Sequence, residues 1–527
     1  MVALHTLNTP LEAAHWLRGR VTGTLTTDSR KVRAGDGFIA WPGAATDGRR
    51  YVDAALASGA SACLVASEGV EKYAFQGDAI AAYAGLKAAT GPIAAAYFEE
   101  PSRALDVVAI TGTNGKTSTA WWLAHALTNL KRPAPLKCGL VGTLGIGMPH
   151  RSEPSGDAAC GYGFNIESNG LTTPDPVLLQ ESFRQFVDHG LMTCALEASS
   201  IGIAENRLDG TRIRIALFTN FSQDHLDYHG SMQAYWQAKS ALFDWPGLRV
   251  AVVNVDDAKG AALASQLAGR VSSDGQGRAL DVWTVSCETT ARLHATDIAC
   301  DDTGLRFTVV ENGERHGLST RMIGFYNVAN LLCVMAAMRA LGVSLPECVE
   351  ACGSLQSVPG RMECQGSTGE PLVVVDYAHT PDALEKTLTS LRPLAESRGG
   401  KLWCVFGCGG KRDAGKRPLM GAVAARLADH VVVTSDNPRD EVPQSIIDHI
   451  VAGMPARSGI ESQPDRASAI CDAVLLADAR DVVLVAGKGH ENYQEIKGQK
   501  LPFSDQNHVS AALKKRQVVV SQTVKSQ

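Results

Sequence analysis

Between Thr111 and Ser118 the chain reads Thr-Gly-Thr-Asn-Gly-Lys-Thr-Ser. Residues of these types at this spacing can hold a phosphate. Gly112 and Gly115 let the backbone curl until its N–H groups face one point. An apolar run, Val107–Thr111, leads into the loop, and a helix-like run from Ser118 to about Leu130 leaves it. The helix N-terminus therefore adds positive potential at the same place. Lys116 can reach the β- and γ-phosphates of ATP, and the Thr117 hydroxyl suits Mg²⁺. Thr113, Asn114 and Ser118 complete the candidate ATP-binding loop. A glycine turn capping a helix is the plain alternative. The general phosphate-loop pattern wants a glycine five positions before Gly115, where Ile110 stands.

Three more residues could do chemistry in the same block. Glu197 ends the strand-like run TCALEA, His225 follows the run IALFTNF, and Lys239 lies in AYWQAKS. Taken singly, Glu197 reads equally well as a helix cap, His225 as a satisfied loop histidine and Lys239 as a solvated helix charge. Their order carries more. Ligands bind at the C-terminal ends of strands in an open α/β sheet, where Glu197, His225 and the phosphate loop all fall.

The elements that must position these residues alternate along the chain. Short β-like runs (Gly37–Trp41, Ala60–Ala66) and an alanine-rich helical stretch ending near Tyr97 make up a first, mixed α/β block. Strand-like runs at Val107–Thr111, Thr193–Ala198, Ile215–Asn220 and Val250–Val255, with helices between, predict a doubly wound central domain like the phosphate-loop ATPases. A helix-like run, Asn327–Leu341, closes it, and Val358–Arg361 (VPGR) reads as a linker turn. Strands at Leu372–Asp376, Lys401–Phe406, His430–Thr434 and Asp481–Ala486 predict a second open, Rossmann-like α/β sheet. The expected division is residues 1–100, 101–356 and 357–527. The basic, polar tail after Ser510 is expected to fray.

Bulk properties exclude several classes. Hydrophobic residues at 45% and charged residues at 20% describe a globular chain, not a disordered one. A formal net charge of -5 argues against a broad basic face for nucleic acid. None of the 13 cysteines shows C-x-x-C spacing, so they read as free thiols of a reducing compartment. Without a leader-like N-terminus or a bilayer-length apolar run, the expected location is cytoplasmic, with no membrane insertion.

The series TGTNGKTS, EASS, DHLDYHG and AKSALF resembles the central domain of the Mur ligase family, element by element. These enzymes activate a carboxylate with ATP and let an amine attack it, and folylpolyglutamate synthase is their relative. The resemblance implies that Glu197 and His225 bind Mg²⁺ with Thr117, and that Lys239 is carbamylated. Carbamylation would turn an ammonium into a carboxylate, a hard oxygen donor that suits Mg²⁺. It implies that Asn327 and Asn330 (GFYNVANLL), Arg361 (GRME) and Asp376 (DYAHTPDAL) contact ATP.

Both ends of the chain resemble substrate sites of this family. Thr27 and Ser29, in TDSR, match a stretch that holds uridine, and Ala44, Ala45 and Thr46, in AATDGRR, match the same nucleotide-sugar domain. Thr172, Thr173, Ser199, Glu205 and Arg207 match contacts to a sugar-dipeptide. Asp436-Asn437-Pro438-Arg439, with Arg412, Gly487 and Glu491, matches the site for the incoming amine. In the family the D-N-P-R run accompanies meso-diaminopimelate, and a guanidinium fork suits a carboxylate bidentately. The implied partners are UDP-N-acetylmuramoyl-L-alanyl-D-glutamate, meso-diaminopimelate and ATP, with the chain acting as a monomer. The implied catalytic set is Lys116, Glu197, His225 and Lys239. Ile201 stands where relatives often have histidine, Glu205 where glutamine is expected and Lys411 where aspartate is expected. The segment Arg151–Gly170 is long for the family. A nucleotide-driven switch protein, the reading from another class, would need neither Lys239 nor a carboxylate-reading third block.

Overall fold

The computed structural model describes residues 4–43, 46–132, 136–149, 170–301, 304–455 and 459–525, so Ala44, Ala45 and nearly all of Arg151–Gly170 lie outside the described residues. Three main sheets follow one another along the chain. In the first, β1 (His5–Leu7), β2 (Leu25–Thr26), β3 (Gly37–Ala40), β4 (Ala62–Ala66) and β5 (Ile80–Tyr83) lie parallel in the order β1-β5-β4-β3-β2. β4 and β5 are buried along their length, as parallel strands covered on both faces must be.

The second sheet has ten strands among the described residues. These are β6 (Asp106–Thr111), β7 (Cys138–Gly142), β8 (Gly145–Gly147), β9 (Thr193–Glu197), β10 (Ile215–Phe218), β11 (Val250–Asn254), β12 (Asp281–Ser286), β13 (Leu293–Asp301), β14 (Gly304–Glu311) and β15 (Glu314–Thr320). Their order is β15-β14-β13-β12-β11-β10-β6-β9-β7-β8. β6 thus sits between β9 and β10, parallel to both, and the chain crosses it in passing from β9 to β10. That crossing is where an open sheet leaves a crevice at its C-terminal edge. β13, β14 and β15 form antiparallel hairpins that the sequence reading did not separate.

Helices Lys116–Thr128 and Tyr326–Ala340 pack together against this sheet. Thr117 to Thr128 are all buried, and so is most of the second helix. Helices apolar on every side belong in a core, which explains why neither sequence shows an amphipathic stripe. The first begins two residues earlier than the spacing predicts, so Lys116 is its first residue.

The third sheet runs β16-β17-β21-β18-β19-β20, built from β16 (Glu363–Gln365), β17 (Leu372–Asp376), β18 (Leu402–Phe406), β19 (His430–Val433), β20 (Ile460–Ser462) and β21 (Val482–Ala486). All but β16 are parallel, so their C-terminal ends share one edge. A small hairpin, β22 (Tyr493–Ile496) and β23 (Gln499–Pro502), follows. The tail departs from expectation: Asp505–Lys525 is helical, and Val509, Ala512 and Leu513 pack against β-strand residues such as Val373 and Val483. Three apolar residues on a helical spacing outweigh the polar composition around them.

Asp505, the first residue of that helix, forms a forked ion pair with Arg466, with Nε–Oδ1 at 2.8 Å and Nη2–Oδ2 at 2.7 Å. Both side chains are fully buried, and Arg466 also donates to the carbonyls of Ser435 and Ala486. Removing one partner of such a pair leaves a buried charge uncompensated. Asp505→Ala is therefore expected to cost about 3–5 kcal/mol, read as a lower urea-unfolding midpoint. An unchanged midpoint would mean that Arg466 finds another partner.

Candidate active site

The phosphate loop leaves β6 and turns into helix Lys116–Thr128. Gly112 has φ +144°, and a Cβ there would stand 1.9 Å from Thr219 Oγ1. Only glycine fits so close to β10 in that backbone region. The loop is held from the next strand: Asn220 Oδ1 accepts from the Asn114 N–H at 2.9 Å, and Asn220 Nδ2 and Thr219 Oγ1 donate to the Asn114 carbonyl. Thr113 Oγ1 exchanges hydrogen bonds with the Ser222 backbone and receives Tyr235 OH at 3.2 Å.

Two lysines meet beneath this loop. Lys116 Nζ donates to the carbonyls of Gly112 at 2.9 Å and Thr113 at 2.8 Å. Lys239 Nζ donates to the same Gly112 carbonyl at 2.7 Å and lies 4.5 Å from the Tyr235 ring centre. Lys239 is 1% exposed, so it is no solvated helix charge. Burial, and then repulsion from Lys116, hold its amine well below the ordinary lysine range. Burial lowers Lys116 too, against the opposing pull of Glu197 and Asp224.

Glu197, at the end of β9, is buried beside them. Its Oε2 accepts from Thr117 Oγ1 at 2.8 Å and Thr143 Oγ1 at 3.1 Å, and its Oε1 from the Thr143 N–H at 2.7 Å. Burial raises its pKa, while the Thr143 N–H and Lys116 lower it. His225, in the left-handed region with φ +52°, lies beyond β10, its Nε2 3.5 Å from Asp224 Oδ2. Burial lowers its pKa, so the ring is neutral and able to act as a ligand. The structure thus gathers Lys116, Thr117, Glu197 and Lys239 around one loop, with His225 at its margin.

Among the described residues, no three His, Cys, Asp or Glu side chains converge as a metal cluster. Glu197 and Thr117 are hard oxygen donors suited to Mg²⁺. A carboxylate on Lys239 would add another. Burial favours the neutral amine, the form that can take up CO₂, so the donor set fits Mg²⁺ once that lysine is carbamylated.

The loop opens into a cavity of about 440 Å³ between the second and third sheets. Asn114, Gly115 and Ser118 line one side, Asn327 and Asn330 another, and Arg361 and Asp376 the third. Asn330 Nδ2 donates to Asn327 Oδ1, and Asn327 Nδ2 to the Ile323 carbonyl, which fixes both amides. Asp376 accepts from the N–H groups of Met362 and Ala378. Burial raises its pKa, and Arg361 counters that shift. Arg361 Nη2 lies 3.5 Å from Thr117 Oγ1, and its guanidinium stacks 4.4 Å from the Tyr377 ring centre.

Asp382 was not singled out from sequence, where Thr-Pro-Asp reads as a helix start. Thr380 does cap helix Pro381–Ser397. Asp382 Oδ2, though, accepts from Asn114 Nδ2 at 3.0 Å, Ser222 Oγ at 2.9 Å and Lys386 Nζ at 3.0 Å. It ties the third sheet's first long helix to the phosphate loop. Thr143 and Asn220 were missed too, since no local pattern marks them, and Lys488, within the run Gly487–Glu491, was given no role.

The residues assigned to a sugar-dipeptide are split. Thr173 Oγ1 donates to the Glu197 carbonyl and shares a hydrogen bond with Ser199 Oγ. Thr172 Oγ1 pairs with Thr143 Oγ1 at 3.0 Å, and Arg207 Nη1 donates to the Thr173 carbonyl. Glu205 is taken by Lys87, at 2.6 Å, and by Tyr228 OH. Thr27 hydrogen-bonds Asp175, Ser29 opens a short 3-10 turn, and Thr46 pairs with Tyr51 OH. A cavity of about 230 Å³ beside them is lined by Trp41, Pro42, Glu68, Lys87 and Asn206, with neither Thr27 nor Ser29 in its wall.

At the third sheet's C-terminal edge, two loops lie side by side. The Gly410 N–H donates to the Asn437 carbonyl at 2.9 Å. Arg439 Nη1 donates to the Gly410 carbonyl at 2.8 Å and its Nε to Glu495 Oε2 at 3.0 Å. Asn437 Nδ2 donates to Glu491 Oε2 at 2.8 Å. The buried Asp436 lies close to Gly487, while Pro438 accepts from the Glu441 N–H. Arg412 is exposed beside Gly409, and Lys411 pairs with Asp440.

Three family descriptions match: Mur ligase family, catalytic domain (residues 23–96), Mur ligase middle domain (110–338) and Mur ligase, glutamate ligase domain (360–489). A UDP-N-acetylmuramoyl-L-alanyl-D-glutamate–2,6-diaminopimelate ligase of Acidovorax sp. (strain JS42) is 60% identical over 519 residues, 98% of this chain and 99% of that one. A solved structure of a ligase of the same name is 33% identical, with TM-score 0.62 over 94% of this chain and 95% of that one. The MurF ligase of Thermotoga maritima in complex with ADP is 18% identical, with TM-score 0.62 over 95% and 98%, a likeness of fold alone.

Gly112→Ala places a Cβ 1.9 Å from Thr219 Oγ1. The loop must shift off β10, and affinity for a non-hydrolysable ATP analogue is expected to fall at least about tenfold, ~1.4 kcal/mol. Calorimetric titration giving an unchanged Kd would take the loop out of nucleotide binding.

Proposed function

The chain belongs to the Mur ligase family, and from that premise we propose how its residues carry the reaction. The reaction is ATP-dependent amide-bond formation: meso-2,6-diaminopimelate is added to UDP-N-acetylmuramoyl-L-alanyl-D-glutamate through an acyl phosphate, in bacterial peptidoglycan precursor synthesis. The observation that carries the assignment of roles is the contact between the loop's cavity and the third sheet's edge. The phosphate loop faces a nucleotide-sized cavity, and the Arg361–Tyr377–His490 stack joins its far wall to the strand edge that holds Asn437 and Arg439.

In this reading ATP fills the 440 Å³ cavity, its phosphates on the N–H groups of Gly112–Thr117. Lys116 swings from its two carbonyl partners to the γ-phosphate and offsets the charge that builds as the D-glutamyl carboxylate attacks. Arg361 lies close enough to Thr117 to share that role. Glu197, His225, Thr117 and a carbamate on Lys239 would hold Mg²⁺, which when bound neutralises phosphoryl oxygens. Asp382, gripping Asn114 and Ser222, keeps the third domain against the loop and water away from the acyl phosphate. ADP, phosphate and the amide are released.

The amine donor sits at the third sheet's edge. Arg439 spends Nε and Nη1 on Glu495 and Gly410, and its Nη2 edge is left for a ligand carboxylate. Glu491 takes the neighbouring ammonium. Thr172, Thr173, Ser199 and Arg207 line the approach of the sugar-dipeptide to Glu197, and Thr27, Ser29 and Thr46 hold the uridine end. ADP release that requires both the nucleotide-sugar dipeptide and the amino acid tests the whole reading. ADP release with neither present would favour a nucleotide switch.

Lys239→Ala is expected to be nearly inactive and to regain part of its activity in a short carboxylic acid, which supplies the missing oxygen donor. Intact-mass analysis of the native protein should show one added CO₂. An unmodified lysine in fully active enzyme contradicts the carbamate.

L-Lysine lacks the carboxylate that Arg439 would fork, so the wild type should reject it by about 10⁴–10⁵ relative to meso-diaminopimelate. Arg439→Ala should lose diaminopimelate binding without becoming a good lysine ligase, because the pocket stays polar. Comparable wild-type rates for the two amino acids would sink this assignment.

A further inference from the structure

Lys488 follows β21 and Gly487, and its side chain is completely buried. Its Nζ donates to Asn437 Oδ1 and to Glu491 Oε2, each at 3.0 Å, and lies 3.8 Å from Asp436 Oδ1. The Tyr493 ring centre is 5.5 Å away. Every polar partner it has belongs to the amino-acid edge, yet it is too deep to meet a ligand itself. We propose that Lys488 is a positioning residue that fixes the polarity of the amino-acid pocket. The inference rests on the reading of that pocket given above and deepens it.

The chemistry is one of forced orientation. An asparagine amide can be turned over at little cost unless its neighbours decide which end is which. An ammonium only donates. The Glu495 N–H also only donates, and it too points at Asn437 Oδ1, at 2.9 Å. Two obligate donors on one oxygen forbid the flipped amide, which would set an NH₂ group against them. Asn437 Nδ2 then has one hydrogen on Glu491 Oε2 and one to offer outward. Glu491 Oε2 receives both Lys488 and Asn437, which leaves Oε1 for a ligand.

The edge therefore presents a fixed donor at Asn437 beside a fixed anionic acceptor at Glu491. With the direction of the ligand's chain fixed from its other end as a third point, that pair complements the carboxylate and ammonium of one amino-acid centre in one handedness. The opposite configuration puts carboxylate against carboxylate, or ammonium against an N–H donor. Without Lys488 the amide loses one of its two arbiters, and Asp436 and Glu491 lose the cation between them.

The test compares wild type, Lys488→Met, Asn437→Ala and the double variant, with meso- and LL-diaminopimelate, which differ at one centre. Lys488→Met is expected to raise KM for meso-diaminopimelate roughly 10- to 100-fold, the loss carried by hydrogen bonds to a charged group. KM for ATP and for the nucleotide-sugar dipeptide should stay near wild type, and the meso-to-LL selectivity should fall. In the Asn437→Ala background, Lys488→Met should change that selectivity less than it does in the wild type, because part of its effect passes through Asn437. If Lys488→Met does not accumulate as folded protein, Lys488→Gln, whose amide still donates but carries no charge, replaces it, with the KM for meso-diaminopimelate still raised and a smaller fall in selectivity. Unchanged selectivity, additive effects, or a parallel rise in all three KM values would overturn the proposal. Wild type that fails to ligate meso-diaminopimelate overturns the underlying reading instead, so the two failures are distinguishable.

Discussion

Two lysine amines donate to one carbonyl oxygen, that of Gly112, and the rest of the site is arranged around that crowding. Two ammonium groups so close in a buried place repel each other, and burial penalises both. Lys116 has relief: it is half-buried, and Glu197 and Asp224 attract its charge. Lys239 has less, being enclosed under the loop with Tyr235 beside it. The pair thus divides labour by environment. Carboxylates oppose the shift at Lys116, and Lys239 is pushed further toward the neutral form, the only form that can become a carbamate. The crowding depends in turn on Gly112, whose missing Cβ lets the loop lie against β10.

That local arrangement is placed by the sheet. β6, β9, β10 and β11 are parallel neighbours, so their C-terminal ends deliver the loop, Glu197, Thr219–Asn220 and Asn254–Asp256 to one rim. The third sheet repeats the device with β17, β21, β18 and β19, which deliver Asp376, Gly487–Lys488, Gly407–Gly410 and Asp436–Arg439. Asp376 shares one cavity with the first rim, whereas Gly487–Lys488 and Asp436–Arg439 do not line it. Asp382 and Arg361 are the third sheet's reach into the second domain, and both end on loop residues, Asn114 and Thr117.

Much of this was legible in the sequence because it is written locally. The buried parallel strands are continuous apolar runs, and Val107–Thr111, Ile215–Phe218 and Val431–Val433 can be read off directly. The phosphate loop carries its own glycines and lysine. The hairpins β13–β15 were not read, because half-buried strands such as Leu293–Asp301 mix polar and apolar residues without a clean alternation. Lys239 shows the limit for single residues: on a helix with a weak apolar pattern it looks solvated, and only the tertiary fold buries it. Asp382 and Lys488 act across 268 and 51 residues of chain, on Asn114 and Asn437, and no spacing rule reaches that far.

The two rims solve opposite electrostatic problems. The loop must accept a polyanion, so its fixed groups are N–H donors, a helix terminus and Lys116, and its carboxylate, Glu197, is screened by three hydrogen bonds. The Asp436–Arg439 edge, the proposed site of a zwitterionic centre, carries both signs of charge. It neutralises its own charges in place, Arg439 with Glu495 and Lys488 with Glu491, and leaves one edge of each pair free. A zwitterion then replaces water at those edges without any buried charge being stranded, a loss that would cost several kcal/mol. The Arg361–Tyr377–His490 stack between the rims carries the cation on the phosphate side only: burial, and then Arg361, depress the His490 imidazole to about 3, which keeps it neutral beside the amine. A neutral ring at that point would not repel the ammonium of the proposed amine donor, which could then sit next to the proposed phosphate site.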